Sequence, residues 1–180
     1  MPYSIKDGKL FFLFHKTFEG AKVGTLIDFG GEINKDEREI DCACREFSEE
    51  TFSLFFDTGD LSKMKIEEIG KEEINHTAAI AKKLVEKENM RPLKTINEHY
   101  TMYLLGIEFR EFDQLNKFFE NPQIKKREFL WIGSHIVKEF LTSGNTSQSF
   151  KEQLFIRVYM LGNDLLDRIN QIEKNIISKY

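Results

Sequence analysis

The sequence has few of the residues that build covalent or metal-stabilised folds. It holds two cysteines, Cys42 and Cys44, and four histidines among 180 residues. Two positions apart on a helix, the two thiols point to different sides, so no disulfide between them is expected. With no further cysteine and only scattered histidines, a structural zinc site lacks a ligand set. Both cysteines are therefore predicted to be small residues in or near the core.

Long apolar runs and blocks of positive charge are also missing. No apolar stretch approaches the roughly 18 residues of a membrane span, and the first residues show no basic segment followed by an apolar one. These absences predict no membrane partner and a cytoplasmic location, with a nuclear one left open. The net charge of −4 argues against broad electrostatic binding to nucleic acid.

Aromatic and charged residues are plentiful. The chain is 41% hydrophobic and 31% charged, which is typical of a globular protein, and it has 17 phenylalanines against one tryptophan. Its length suffices for one domain with a full hydrophobic core. An aromatic-rich core is therefore predicted.

Hydrophobic patterning predicts strands and helices in alternation. Asp7-Gly8 is a turn dipeptide inside a hairpin over residues 3–14. Apolar composition or helical spacing predicts the other elements. Further strands are predicted at 23–29, 99–109 and 126–133, and helices at 36–51 and 112–121. This order favours an α+β sandwich with a mixed sheet over a doubly wound parallel sheet.

Two segments differ from this pattern. Residues 57–95 are rich in lysine and glutamate and are predicted to be a partly exposed insertion with one short helix, capped by Asn75 or Thr77. Residues 149–180 predict a long C-terminal helix, because apolar residues recur every three or four positions, with a possible kink at Gly162-Asn163. That stripe is able to dock on the domain or on a partner helix, which leaves a homodimer open.

An acid cluster lies in "DFGGEINKDEREIDCACREFSEET", residues 28–51. On a helix, Glu46, Glu49 and Glu50 share an arc of about 100° that borders the apolar stripe near Phe47. Glu46 and Glu50 are like charges at i,i+4, which costs roughly 0.2–0.5 kcal/mol. Taken alone, the cluster fits either an acidic surface with an Arg45–Glu49 pair or a metal site.

The spacing resembles the Nudix box, G-x5-E-x7-R-E-U-x-E-E-x-G-U, in which U is apolar. Six positions match in register, and Phe47 fills the first U. The six are Gly31, Glu37, Arg45, Glu46, Glu49 and Glu50. With each residue type near ~1 in 15, a chance match of six is on the order of 10⁻⁷ per starting position.

Two positions depart from the box. The glycine after the acids is Phe52 here, and the last apolar position is Ser53. In the family that glycine ends the helix in a left-handed conformation, which would cost a phenylalanine about 1–2 kcal/mol. The helix is therefore expected to continue for another turn through Phe52, Leu54 and Phe55.

The resemblance implies a single Nudix-type α/β/α sandwich over residues 1–180, with 57–95 as an insertion and 149–180 as a C-terminal helix. It implies metal-dependent hydrolysis of a diphosphate linkage in a nucleoside diphosphate derivative or a related pyrophosphate. Phosphate oxygens repel a nucleophile, so divalent cations must neutralise charge and lower the pKa of a bound water. Mg²⁺ prefers oxygen ligands, with Mn²⁺ as a possible substitute.

The resemblance also implies roles for the box residues. The predicted metal ligands are Glu46, Glu49, Glu50 and the carbonyl of Gly30. Glu46 is alternatively the general base, since family members differ on this. Arg45 would hold a box carboxylate in place, and Glu37 would pair with it. Gly31 belongs to a glycine pair that lets backbone approach the metal.

Roles outside the box are assigned from weaker signals. Glu128 is predicted as a catalytic base, because an acid shortly before a strand tryptophan recurs in such domains; the alternative is an ordinary edge-strand glutamate. The basic run at 125–127 is either a phosphate-binding patch or solvated. His99 and Tyr100 are either strand residues or substrate contacts.

The substrate is left open by the sequence. Small nucleotide derivatives, diphosphoinositol phosphates and capped RNA all fall within the family's range, and the acidic balance favours small ligands over RNA. The alternative function is a catalytically silent ligand-binding or regulatory module, which the retention of all four box acids disfavours.

Overall fold

Strands and helices alternate along the chain in a computed structural model that describes residues 1–18, 23–24, 26–56, 70–95, 99–116, 127–143, 158 and 160–178. The strands are β1 (Pro2–Lys6), β2 (Lys9–Thr17), β3 (Leu26–Ile27), β4 (Leu93–Lys94), β5 (Thr101–Met102), β6 (Leu105–Gly106) and β7 (Arg127–Gly133). The helices are α1 (Glu39–Glu50), α2 (Lys71–Glu88), α3 (Phe112–Asn116), α4 (Ser134–Ser143) and α5 (Gly162–Ile177). Much of the predicted insertion, 57–69, and the first part of the predicted C-terminal helix, 149–157, lie outside the described residues.

Strand β2 organises the sheet. Asp7 and Gly8 both have positive φ, 50° and 70°, as a tight hairpin turn requires, and they join β1 to β2 as predicted. Strand β7 pairs with residues 11–17 of β2. Some of these β2 residues also pair with β1 and others with β3, so β1 and β3 lie along one edge of β2 and β7 lies along the other. Because β6 pairs with β1 in parallel and the other pairs are antiparallel, the sheet is mixed and the α+β prediction is confirmed.

The apolar segment at 99–109 was predicted to be one buried strand, and this prediction is wrong. It contains two short strands, β5 and β6, which belong to different sheets: β5 pairs with β4 in a two-stranded ribbon, whereas β6 joins the main sheet. Composition indicates that the segment is buried, but it does not show where the chain passes from one sheet to another. The strand predicted at 23–29 is likewise reduced to β3.

One face of the sheet carries the first core, which packs against α1, α2 and α3. It is rich in aromatic residues, as predicted. Its buried members are Leu13, Phe29, Cys44, Phe47, Leu54, Phe55, Ala81, Val85, Leu105, Ile107, Leu115 and Phe129. This face holds the helix that carries the acid cluster.

Helix α2 belongs to this core and is longer than the predicted short helix. It begins at Lys71 with Gly70 as its N-cap, so the predicted caps, Asn75 and Thr77, lie inside the helix. Thr77 is fully buried, and its hydroxyl bonds backbone carbonyls of the preceding turn, as threonines inside helices do. The cap prediction failed because a side chain that stabilises a helix start also fits within a buried helix face.

The opposite face carries the second core, formed with α4 and α5. Phe12 and Phe14 of β2 contribute to it from the sheet. The apolar stripe of α5 contributes Leu165, Ile169, Ile172 and Ile176, so the predicted C-terminal stripe packs on its own domain. Gly162, at the predicted kink, has a φ of 48° and begins the helix. No helix was predicted at α4. None of the helices in the described ranges is both long and apolar enough to cross a lipid bilayer.

Candidate active site

Helix α1 brings the box residues to the edge of the first core. Phe47 is buried and packs edge-on against Phe29, which follows shortly after the end of β3. The two ring centroids are 5.5 Å apart. Cys44 lies in the same core, and Cys42 is also buried. Both thiols are free, and burial raises the pKa of Cys42 to about 11 and that of Cys44 to about 12. The prediction that both cysteines are core residues is confirmed.

The glycine pair receives two of the predicted metal-binding carboxylates. Gly30 has a φ of 153°, which L side chains rarely adopt, and its N–H donates to Oε2 of Glu50 at 3.0 Å. A Cβ on Gly31 would lie 2.3 Å from Cδ of Glu46, so that carboxylate occupies the space left by the missing side chain. Glu46 and Glu50 therefore converge on adjacent backbone positions.

Arg45 ties the box acids together. Its Nε and Nη2 donate to both carboxylate oxygens of Glu37, at 2.8 and 3.1 Å, which confirms the predicted pair. Its Nη1 donates to Glu46 at 2.6 Å and to Glu49 at 3.1 Å. These bonds hold the pKa of Glu37 below its usual value. Four side chains of the motif thus form one charge-assisted network.

Glu50 is the acid of the cluster whose pKa is raised. Burial raises its pKa to about 7, and the negative charges of Glu46 and Asp28 act in the same direction, against Arg127 and the Gly30 N–H. Nη1 of Arg127 lies 3.4 Å from its Oε1, and Nε2 of His15 lies 3.7 Å from the same oxygen. A nearby cation would stabilise the ionised form of a carboxylate in this setting.

The helix carrying these acids ends one turn earlier than predicted. Phe52 and Ser53 have φ values of 52° and 58°, and their N–H groups bond the carbonyls of Glu49 and Ser48, at 3.2 and 2.9 Å. This is a Schellman ending, with Phe52 at the position where the Nudix box has glycine. The predicted continuation through Phe52 is therefore wrong. The Ser53 hydroxyl lies 2.9 Å from that of Thr77, which ties the turn to α2.

A cavity of about 840 Å³ opens beside the acids. Its walls include Glu50, Gly30 and Gly31 from the box region, with His15 from β2 and Arg127 from β7. His99, Tyr100 and Met102 also line it. The Tyr100 hydroxyl donates to the buried carboxylate of Asp28, which fixes the ring in the cavity wall. Such a pocket combines apolar surface with a few polar groups, as small-molecule sites do.

Glu128 is not among the residues that line this cavity. Successive side chains of a strand point to opposite faces. On β7, Arg127 reaches Glu50 and Phe129 lies in the first core, so Glu128 shares the other face with Leu130, which packs on the second core. The structure does not bring Glu128 to the box acids. Alternation along the sequence did not reveal this, because β7 is apolar on both faces.

His15 and Asp28 are site residues that were not predicted. Each side chain is nearly inaccessible, 2% and 1% exposed. A signal for His15 was present: it is the lone histidine in the aromatic run "FFLFHK", and alternation places it on the same face as Leu13. Asp28 had a similar signal, as a single acid between Ile27 and Phe29.

The donor set has the chemistry that a divalent cation needs. Across the described residues, no three or more His, Cys, Asp or Glu side chains are grouped closely enough to hold a metal ion. Mg²⁺, however, is usually held by one or two carboxylates with waters and substrate phosphates. Glu50 at Gly30 and Glu46 at Gly31 offer two such carboxylates. Glu49 is exposed and contacts Arg45.

Comparison with known proteins identifies no family. No protein-family model matches the chain, and no solved structure matches it significantly. The chain is 43% identical over 70 residues to "Uncharacterized protein L534" of Acanthamoeba polyphaga mimivirus. The match covers 37% of this chain and 22% of that protein, whose name states no activity.

Proposed function

We propose that the chain is a Nudix-type pyrophosphohydrolase, with its sheet and helices in the Nudix α/β/α arrangement. Its substrate would be a nucleoside diphosphate derivative or a related pyrophosphate. The observation that carries the proposal is the convergence of Glu46 and Glu50 on Gly30-Gly31, at the wall of a cavity large enough for such a ligand. Residues that the box specifies by their spacing are therefore also in contact with one another in the folded chain.

In this proposal Glu46 and Glu50 would hold Mg²⁺ or Mn²⁺, with Glu49 and the Gly30 carbonyl as further ligands. When bound, the cation would neutralise phosphate charge and lower the pKa of a water. Arg45 orients Glu46, because its Nη1 bonds that carboxylate while Glu37 fixes the guanidinium from the other side. The cavity wall around Tyr100 and Met102 encloses the rest of the substrate.

The role of Glu46 as ligand or as general base is open to a direct test. A Glu46→Gln variant keeps the size of the side chain and removes its charge. If Glu46 is a ligand, the variant should bind Mn²⁺ more weakly in a calorimetric titration. If it is the base, Mn²⁺ affinity should persist while kcat falls and its dependence on pH flattens on the acidic side.

The proposed activity is tested by a substrate panel with Mg²⁺ or Mn²⁺. The panel contains nucleotide derivatives, diphosphoinositol phosphates and capped RNA, and the acidic balance of the chain favours the small ligands. Release of phosphate or nucleoside monophosphate should collapse in Glu50→Gln. The matched control is Glu86→Gln, on the exposed side of α2, which should keep wild-type turnover. Glu128→Gln should also turn over normally, because that side chain faces the second core.

A catalytically silent binding module is the second candidate. It is favoured by the engagement of both Glu46 and Glu49 with Arg45, which leaves fewer free carboxylate oxygens for a cation. A wild-type protein that binds a panel compound but releases no product with either metal would establish this candidate and end the enzyme proposal.

A further inference from the structure

Arg127 begins β7, and its side chain reaches across to the end of the box helix. Its Nη1 donates to the backbone carbonyl of Glu50 at 3.2 Å and lies 3.4 Å from the Oε1 of the same residue. The guanidinium carbon lies 5.9 Å from the centroid of the Phe52 ring. These contacts hold the guanidinium at the cavity wall, where its side chain is 22% exposed.

Arg127 differs in charge from the other charged side chains that line the cavity. Its walls carry carboxylates from Glu32, Glu39 and Glu50, whereas Arg127 is the one arginine or lysine among the lining residues in the described part of the chain. Among the charged side chains that a diphosphate would meet in this space, the negative ones are the majority. An arginine fork is well suited to phosphate oxygens, because its N–H groups are coplanar and donate in pairs.

The contacts of Arg127 leave capacity for a ligand. Both contacts with Glu50 use Nη1, and Nε is buried, so the N–H groups of Nη2 are the ones that remain for a ligand. A divalent cation at Glu50 would compete with Nη1 for Oε1. With the Glu50 carboxylate bound to a cation, Nη1 would also be available to a phosphate oxygen in the same cavity.

We propose that Arg127 binds a phosphate of the substrate, and that its contact with the Glu50 carboxylate is exchanged for a phosphate contact when a cation binds. This inference rests on the proposed function, since it requires a diphosphate ligand and a cation at Glu50. It differs from a purely structural role for Arg127, in which the guanidinium only holds Glu50 in place.

The two roles predict different effects on metal binding. The experiment uses Arg127→Gln, with two calorimetric titrations: Mn²⁺ alone, and methylenediphosphonate, a non-hydrolysable diphosphate, at a fixed excess of Mg²⁺. The variant should bind methylenediphosphonate about 10–100-fold more weakly, the range expected for lost hydrogen bonds to a charged group. Its Mn²⁺ affinity should equal or exceed that of wild type, because a competitor for Glu50 is gone.

A comparable loss of Mn²⁺ affinity would show that Arg127 only positions Glu50, and unchanged diphosphonate affinity would show that it does not bind phosphate; either result overturns the inference. Arg91→Gln removes the same charge at an exposed position outside this cavity and should bind both ligands as wild type does. If melting shows that Arg127→Gln does not fold, Arg127→Met, which also removes the charge and keeps an apolar side chain beside the Phe52 ring, is judged by the same two titrations.

The failure of this inference is distinguishable from failure of the proposed function. A wild-type protein that binds Mn²⁺ and turns over substrate, with an Arg127 variant that binds diphosphonate normally, refutes the role of Arg127 alone. A wild-type protein that binds neither Mn²⁺ nor methylenediphosphonate refutes both.

Discussion

Replacement of Gly31 by alanine is the smallest change that tests the geometry of the acids. The new Cβ would lie 2.3 Å from Cδ of Glu46 and 2.4 and 2.5 Å from its two carboxylate oxygens. Non-bonded carbon atoms approach to about 3.5–4.0 Å, so the carboxylate must move by about 1 Å or more. The backbone of Gly31 does not resist the change, because its φ is not in the left-handed region.

The substitution should separate stability from activity. Glu46 is a flexible side chain that can swing away at little cost, and Gly31 is exposed, so the free energy of unfolding should change by less than about 1 kcal/mol. A reacting or ligating group displaced by about 1 Å costs roughly 10²-fold in rate, or about 2.7 kcal/mol in the activation barrier. We therefore expect Gly31→Ala to unfold normally in urea and to lose about two orders of magnitude in kcat.

The matched control is Gly70→Ala. Gly70 is the N-cap of α2, has a φ of −81°, and would place its Cβ in open space. It should keep wild-type kcat on the substrate found in the panel. Wild-type kcat and Mn²⁺ affinity in Gly31→Ala would refute the reasoning, because the carboxylate of Glu46 could not then be working from its position over Gly31.

Three further outcomes follow from the fold. At Phe52, whose left-handed φ penalises any Cβ, the glycine variant should be more stable than the alanine variant by about 1 kcal/mol in urea unfolding. The reverse order should hold at Ala79, which is exposed within α2, and equal stability of the two Phe52 variants would contradict the strain. Ile169→Ala, at a fully buried position of α5, should lower the free energy of unfolding by about 2–5 kcal/mol. Ile177→Ala, at a side chain 75% exposed, should lower it by less than about 0.5 kcal/mol. Similar losses at the two positions would show that α5 does not dock as described. Burial raises the pKa of Glu88 above 4.5, so its contribution to stability is complete below pH 4.5 and is lost as pH rises through the folded pKa. Glu88→Gln should therefore gain stability relative to wild type as pH rises from 4.5 through the folded pKa, and a difference that stays constant with pH would be inconsistent with that burial.

Local patterns predicted the elements whose cause is local. The hairpin at Asp7-Gly8 was predictable because a two-residue turn needs backbone conformations that this dipeptide favours. Helix α1 was predictable because its apolar stripe repeats at helical spacing. The Glu37–Arg45 pair was also predicted correctly, through the resemblance of the motif.

The wrong predictions concern features that depend on contacts formed in the folded chain, such as where a helix ends or which way a side chain faces. The ending of α1 is one case: local preference disfavours Phe52 in a left-handed conformation, but backbone bonds to the last turn and the contact of Ser53 with Thr77 hold it there. Glu128 is another, since only packing against two different cores determines which face of β7 meets the box helix.

By itself, the sequence determined the fold class, the position of the acid-bearing helix and the register of its charged residues, because hydrophobic period and motif spacing are properties of neighbouring positions. Only the tertiary structure decided that Glu46 and Glu50 meet at Gly30-Gly31, and that His15 and Arg127 reach Glu50 from β2 and β7. Those contacts join residues far apart in the chain, and they exist because the sheet and the helix bury a common core.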